Sequence, residues 1–228
     1  MKAIVTGGNR GIGLEITNGL LRRGFSVHVI SRTGIEQPPG NVISWRRDLN
    51  DWDAVASALK EIGTPDVLVN NAGIMNRKAA VEYETDDIMR MLNINLVSAV
   101  RLSVMAAEGM AAVGGGRIVS IGSLAGHIGH SDIWYGISKA GLANAMRSLA
   151  RSHGPRGVVT STVAPGPVET DMITSIPPER QARLMAATIA GRFCAPEEVA
   201  EVVCWLATDA PVFMNGDVID VNNGMNCR

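Results

Sequence analysis

The sequence predicts an α/β protein, one doubly wound parallel sheet of about seven strands with helices packed on both faces. Three observations carry that reading. Short apolar, β-rich runs alternate with helical patterns, no repeat or linker interrupts the alternation, and a glycine cluster joins the first strand to the first helix. Helical connections of ten or more residues are crossovers, which place successive strands parallel and cover both faces of the sheet. At 228 residues the chain suits one domain spanning 1–228.

The elements follow in order. Lys2 to Thr6 is a short apolar strand, Gly7 to Gly13 the glycine cluster, and Gly11 to Arg23 a helix with Ile12, Ile16 and Leu20 at four-residue spacing. Ser26 to Ile30 and Val42 to Arg46 read as the second and third strands. Asp51 to Ile62 is a helix with an acidic first turn, and Val67 to Asn70 is the fourth strand. Thr85-Asp86-Asp87 opens a long helix running toward Gly109, Arg117 to Ile121 is the fifth strand, and Asp132 to His153 is helical. Val158 to Ala164 is the sixth strand and Pro165 to Arg192 is irregular or short-helical. Pro196 to Ala207 is a helix with proline in its first turn, and Val218 to Val221 closes the sheet.

Composition excludes several functions. Apolar residues make up 46% and charged residues 19%, a soluble-enzyme balance, and a net charge of -1 leaves no basic footprint for nucleic acid or an anionic membrane. Cys194, Cys204 and Cys227 are odd in number and far apart, which suggests neither a disulfide framework nor a metal-ligand set. The N-terminal residues run directly into a strand pattern, with no signal-peptide core and no apolar run of membrane-spanning length. The expected location is the cytoplasm.

The chemistry falls in the loops after the strands, where doubly wound sheets bind their ligands. Thr6-Gly7-Gly8-Asn9-Arg10-Gly11-Ile12-Gly13 sits between strand and helix, so backbone amides and the helix dipole can hold a pyrophosphate; its spacing differs from the GxGxxG fingerprint. After the second strand, where a carboxylate would bond both ribose hydroxyls of NAD, stand Ser31, Arg32 and Thr33. Arg10 and Arg32 can instead pair with a 2′-phosphate, which favours NADP(H) over NAD(H); solvated surface arginines would discriminate little. Tyr135 and Lys139 lie one helical turn apart, so their tips can converge. A phenol of pKa about 10 needs such a neighbouring cation to act near neutrality. An exposed amphipathic face would carry the same spacing.

The glycine loop resembles the TGxxxGxG loop of the short-chain dehydrogenase/reductase family, a Rossmann-type fold, and the resemblance continues in family order along nearly the whole chain. Asn70-Asn71-Ala72-Gly73 resembles its NNAG, Ile121-Gly122-Ser123-Leu124-Ala125-Gly126 its ISSxAG with glycine in place of the first serine, and Tyr135-Gly136-Ile137-Ser138-Lys139 its YxxSK. Pro165-Gly166-Pro167-Val168-Glu169-Thr170 resembles its PG motif, and the tail from Gly216 to Met225 is similar to the single-domain branch, particularly the 3-oxoacyl carrier-protein reductases.

The resemblance implies an oxidoreductase that moves a hydride between a nicotinamide dinucleotide and a carbonyl or secondary alcohol. It implies Tyr135 as the acid/base, Lys139 as its supporting charge and Ser123 as the holder of the substrate oxygen. An asparagine for a proton-relay water is Asn93 or Asn95, and the asparagine-leucine pair favours Asn95. For the cofactor it implies Gly7, Asn9, Arg10 and Ile12 at the phosphates and adenosine, Asp48 and Leu49 at the adenine, and Asn71, Ala72 and Gly73 at the ribose. Pro165, Gly166, Val168 and Thr170 line the nicotinamide end, and Tyr135 and Lys139 touch the cofactor as well. By turn chemistry alone, Asp48 and the PG segment also read as plain turns.

Ser123 and Tyr135 are twelve positions apart, one fewer than that branch leads us to expect, which implies a shortened loop at the substrate mouth through His127 and His130. These two and Trp134 are given no role. Thr170 to Arg192 corresponds to the family's substrate lid, with Met172, Ile173, Ile176 and Met185 apolar and Arg180, Arg183 and Arg192 charged. That mixture fits an acyl carrier thioester, and because lid sequences vary freely a small ketone, a sugar-derived or a polyketide-type carbonyl stands beside it. Two other readings stand beside the reductase. One is a non-catalytic dinucleotide-binding sensor, and the other is an extended-branch nucleotide-sugar epimerase, for which too few residues follow Pro165. The resemblance further implies a homotetramer through the long helices and last strand, or a dimer.

Overall fold

The computed structural model describes residues 1–76, 78–174 and 176–227. Seven strands form one parallel sheet: β1 (Lys2–Thr6), β2 (Ser26–Ser31), β3 (Val42–Arg46), β4 (Val67–Asn70), β5 (Gly116–Ile121), β6 (Val158–Pro165) and β7 (Asp217–Val221). Their order is β3-β2-β1-β4-β5-β6-β7, so the order of strand addition reverses between β1 and β4 while all strands stay parallel. The expected doubly wound architecture is present, and each expected strand lies within a residue or two of its predicted bounds.

Alternation along the strands sorts the core onto two faces. Ala3 and Val5 of β1 face the helices α1 (Gly11–Arg22) and α9 (Pro196–Thr208), where Ile16, Leu20, Val199 and Val203 are fully buried. Ile4 faces the other way, with Leu68 and Ile118, toward α2 (Trp52–Ile62), α4 (Ser98–Ala112) and α6 (Ile133–His153). Each such leucine or isoleucine contributes about 1.5–3 kcal/mol by leaving water, so a one-residue register slip would invert a large stabilisation.

Helix ends follow their sequence signals. The carboxylates of Asp51 and Asp132 accept from the backbone N–H of Ala54 and Tyr135, both at 3.1 Å, so these aspartates cap α2 and α6 from outside the helices. Helix α1 begins without a side-chain cap. The helix predicted to run from Thr85 toward Gly109 is interrupted. Helix α3 (Thr85–Leu92) passes through a π turn, Asn93–Val97, before α4 continues it, a change of pitch that apolar periodicity does not register. Among the described residues this run, Thr85–Ala112, is long and apolar enough to cross a membrane; here Leu102, Ala107 and Met110 are buried against the sheet. Short helices α5 (Ala125–Ile128), α7 (Asp171–Thr174) and α8 (Pro178–Ala186) surround the carboxyl ends of β5 and β6. The segment holding α7 and α8 is closed at its base by a parallel bridge between Val168 and Cys194, with Glu169 N–H on the Cys194 carbonyl at 2.9 Å and Cys194 N–H on Pro167 at 3.0 Å.

Candidate active site

A cleft of about 1040 Å³ opens along the carboxyl ends of the strands, at the point where strand order reverses. Its first wall is the glycine loop. Gly7 and Gly11 hold left-handed φ values of 64° and 50°, which a side chain would strain. A Cβ on Gly13 would stand 2.1 Å from the Gly7 carbonyl oxygen, so only glycine lets α1 start this close to β1. Asn71 fastens the loop from β4, its amide donating to the carbonyls of Thr6 at 3.0 Å and Gly7 at 3.1 Å. The Thr6 hydroxyl accepts from Asn71 and Ala72 N–H in return.

The arrangement suits a nicotinamide dinucleotide. First-turn amides of α1 have no side-chain acceptor and open into a cleft long enough for two nucleotides, with Asn9, Arg10, Ile12, Ser31 and Arg32 along it. The Asn9 amide donates to the Thr33 hydroxyl at 2.9 Å, and the Ser31 hydroxyl accepts from Gly34 N–H at 3.1 Å, which orders the turn after β2. Arg10 pairs with Asp171 of α7 across the mouth at 3.1 Å, both groups exposed. Arg47, which sequence reasoning missed, also lines this end, because β3 lies beside β2 with Arg46 in register with Ser31. Asp48 lines the cleft while its carboxylate accepts from Asn50 N–H at 2.9 Å; it is both a turn residue and a wall residue. Leu49 beside it is buried, and its carbonyl accepts from the Ser98 hydroxyl. Ala72, Gly73, Pro165, Gly166, Val168 and Thr170 line the cleft farther along.

Deeper in the cleft three side chains meet. Ser123, in the turn after β5, is hydrogen-bonded to the Tyr135 hydroxyl. Burial pushes the Tyr135 phenol up, the Ser123 hydrogen bond draws it back, and the Asp132 charge adds to the rise. Lys139, one turn on, is buried; its ammonium lies 5.8 Å from the Tyr135 ring and donates to the Ile121 carbonyl at 2.7 Å. Burial pushes that ammonium down from 10.5 to about 8, so it still carries charge at neutral pH.

Asn95 sits in the π turn, fully buried. Its carbonyl oxygen accepts from Ile74 N–H at 2.8 Å, and its amide donates to the Ile74 carbonyl at 2.8 Å and the Ser138 hydroxyl at 3.2 Å. Both N–H donors are thus engaged by protein, and the carbonyl oxygen keeps one lone pair beyond its bond from Ile74. Two further residues, Ser138 of the YxxSK motif and Tyr83, were given no role by the sequence. Ser138 joins Asn95 to the Tyr135 carbonyl, and the Tyr83 hydroxyl donates to Asp132 at 2.5 Å, securing the carboxylate that caps α6 at Tyr135.

Of the expected lid residues, Met172, Ile173, Ile176 and Arg180 line the cleft, together with the unforeseen Leu184 and Met225. Arg192 instead forms a bidentate pair with Glu198, at 2.7 and 2.8 Å. Neither Met185 nor Arg183 lines the cleft, and Ser175 lies outside the described residues. His130 lies against Tyr135, ring centroids 5.6 Å apart.

A phenol held by a serine hydroxyl and flanked by a buried ammonium can exchange a proton with a substrate oxygen, and the dinucleotide-sized cleft leading to it supplies room for a hydride carrier. Together they define an oxidoreductase that interconverts a carbonyl and a secondary alcohol with NAD(P). The chain belongs to the short-chain dehydrogenase/reductase family: the family model described as enoyl-(acyl carrier protein) reductase matches residues 7–226. It is 34% identical over 236 residues to the 3-oxoacyl-(acyl-carrier-protein) reductase FabG of Salmonella typhimurium, covering 98% of this chain and 96% of that one. It is also 34% identical to the cis-4-hydroxycyclohexanecarboxylate dehydrogenase of Sinomonas cyclohexanicum, covering 97% and 95%. Among solved structures it superposes with a TM-score of 0.90 on a protein of Beutenbergia cavernae described as an NAD(P)-dependent gluconate 5-dehydrogenase with bound NADP, at 33% identity over 98% of this chain and 96% of the other.

Proposed function

We propose that this chain is an NADPH-preferring carbonyl reductase in which Tyr135 is the proton donor. The observation that carries the reading is the Tyr135–Ser123 hydrogen bond with the Lys139 ammonium one turn away. When bound, the reduced nicotinamide supplies the hydride for the carbonyl carbon. Ser123 holds the carbonyl oxygen in line, and Tyr135 gives it a proton as negative charge develops. Lys139 then stabilises the phenolate, and Asn95 keeps the Ile74 loop and the lysine environment in place. Alcohol oxidation runs the same steps backward.

Gly7, Asn9, Arg10 and Ile12 hold the phosphates, Asp48 and Leu49 the adenine, Asn71 to Gly73 the ribose, and Pro165, Gly166, Val168 and Thr170 the nicotinamide end. Ser31 and Arg32 meet the 2′-phosphate, with Arg47 adding to the positive field there. The absence of a carboxylate after β2 favours NADP(H), as does the NADP carried by the Beutenbergia protein. We read residues 1–228 as one domain on one sheet, acting in the cytoplasm as a homo-oligomer, with a tetramer ahead of a dimer. The relatives act on different carbon skeletons, so a thioester is one of several substrates to test. The test is NADPH consumption, with NADH in parallel, against oxo acids, their esters, small ketones and acetoacetyl thioesters. Turnover with NADPH preferred is expected; tight cofactor binding with no turnover would favour the sensor.

A further inference from the structure

The substrate end of the cleft carries an apolar wall of Leu124, Ile128, Met172, Ile173 and Leu184, with His130 beside Tyr135 and the carboxylates Glu169 and Asp171 nearer the cofactor loop, where Asp171 pairs with Arg10. Into this wall one guanidinium projects. Arg180 lines the cleft from the first turn of α8, half-buried, and donates to the Ser131 hydroxyl at 3.1 Å. Among the described residues Arg180 forms no ion pair, unlike the lid cation Arg192 with Glu198 and the mouth cation Arg10 with Asp171. The other cleft-lining arginines, Arg10, Arg32 and Arg47, stand at the cofactor end.

Arg180 is also placed against its own helix. A cation in the first turn faces the positive end of the dipole, and α8 has no side-chain cap to offset it. Glu179 is the acidic residue of that turn, but consecutive helical residues do not face the same way. An anion at this point would meet both the guanidinium and the helix terminus. The partner is fixed in place: Ser131 precedes Asp132, whose carboxylate accepts from Tyr135 N–H and whose position is held by Tyr83. The guanidinium is therefore tied to the same turn that sets the proton donor. One arginine neutralises one charge, and the planar guanidinium presents paired N–H donors that match the two oxygens of a carboxylate, while Ser131, outside the cleft lining, braces it.

We propose that Arg180, braced by Ser131, is the specificity-determining residue of the substrate end, and that the substrate is an oxo acid or secondary hydroxy acid with an apolar body between its carboxylate and its reacting carbon. This rests on the carbonyl-reductase reading. In reduction the nicotinamide hydride forms the new C–H bond, Tyr135 protonates the oxygen, and oxidised cofactor leaves; the carboxylate is bound and unchanged.

The experiment compares kcat/KM for 4-oxocyclohexanecarboxylate and 5-oxohexanoate with that for their methyl esters and for acetoacetyl thioester, using NADPH. The native protein should prefer each acid by about tenfold or more. In R180Q the acid-to-ester ratio should fall to near one, with the loss in KM for the acid, while R180K and S131A give intermediate ratios. NADPH affinity, read by fluorescence, reports that the variants are folded. Esters or the thioester matching the acids in the native protein, or an unchanged ratio in R180Q, would overturn the proposal and leave the carbonyl chemistry standing. No turnover of any carbonyl with either cofactor would overturn both.

Discussion

Replacing Lys139 with methionine should make the protein inactive and more stable at neutral pH. Burial holds the Lys139 ammonium at about 8 against 10.5 in the unfolded chain, so below pH 8 the folded state carries a charged group at a cost on the order of 3 kcal/mol. Methionine fills a similar volume without charge but leaves the Ile121 carbonyl without its 2.7 Å donor, which costs about 1 kcal/mol. A net gain of about 2 kcal/mol at pH 7 is expected. The sign with pH follows from linkage: between 8 and 10.5 the unfolded chain binds the proton that the folded protein has lost, so the native protein gains stability as pH rises. The advantage of the variant should thus be full below pH 8 and mostly gone at pH 10. Urea unfolding of the cofactor-free protein at pH 7 and pH 10 measures this, since each midpoint and slope gives an unfolding free energy. A variant less stable at pH 7, or an advantage that does not shrink by about 2 kcal/mol toward pH 10, would refute the claim that Lys139 is held charged at a cost.

Three further outcomes follow from the same geometry. Tyr135→Phe should lower kcat by about 10²–10⁴-fold, checked by single-turnover kinetics, with NADPH affinity changed less than about threefold by fluorescence titration. Arg32→Asp should lower kcat/KM about a hundredfold with NADPH and less than about fivefold with NADH, because it sets a carboxylate against the 2′-phosphate; equal losses would remove Arg32 from cofactor choice. Gly13→Ala places a Cβ 2.1 Å from the Gly7 oxygen and 2.4 Å from the Asn71 amide nitrogen, so thermal unfolding should show a loss of about 3 kcal/mol or more, with cofactor binding abolished.

What the sequence made legible is what neighbouring residues decide together. Strand and helix periods, the glycine loop, the Asp51 signal and the Tyr135–Lys139 spacing all depend on residues within a turn or two of each other. The π turn at Asn93–Val97 was not legible, because the residues after it, Ser98–Ala112, are small or apolar on most sides and hide the rotation of about 100° that one extra residue imposes. Arg47 was missed because only the β3–β2 register brings it to Ser31. The pairing of Arg10 with Asp171 spans 161 residues of chain, and that of Tyr83 with Asp132 spans 49. No local signal announces either contact; both follow from the order in which strands lie in the sheet.

The bridge between Val168 and Cys194 closes the base of the segment that carries α7 and α8 before it reaches over the cleft. Everything between those two residues is an excursion whose ends are already joined, and the free-energy cost of closing such a loop grows only with the logarithm of its length. Such a segment is an exchangeable cassette. It can be lengthened, shortened or recomposed while Ser123, Tyr135 and Lys139 stay on the rigid turn and helix that hold them. A grafting strategy that keeps Val168 to Asp171 and Cys194 and exchanges only the residues between them would therefore alter which molecules this scaffold accepts while leaving the cofactor wall and the reacting side chains in place.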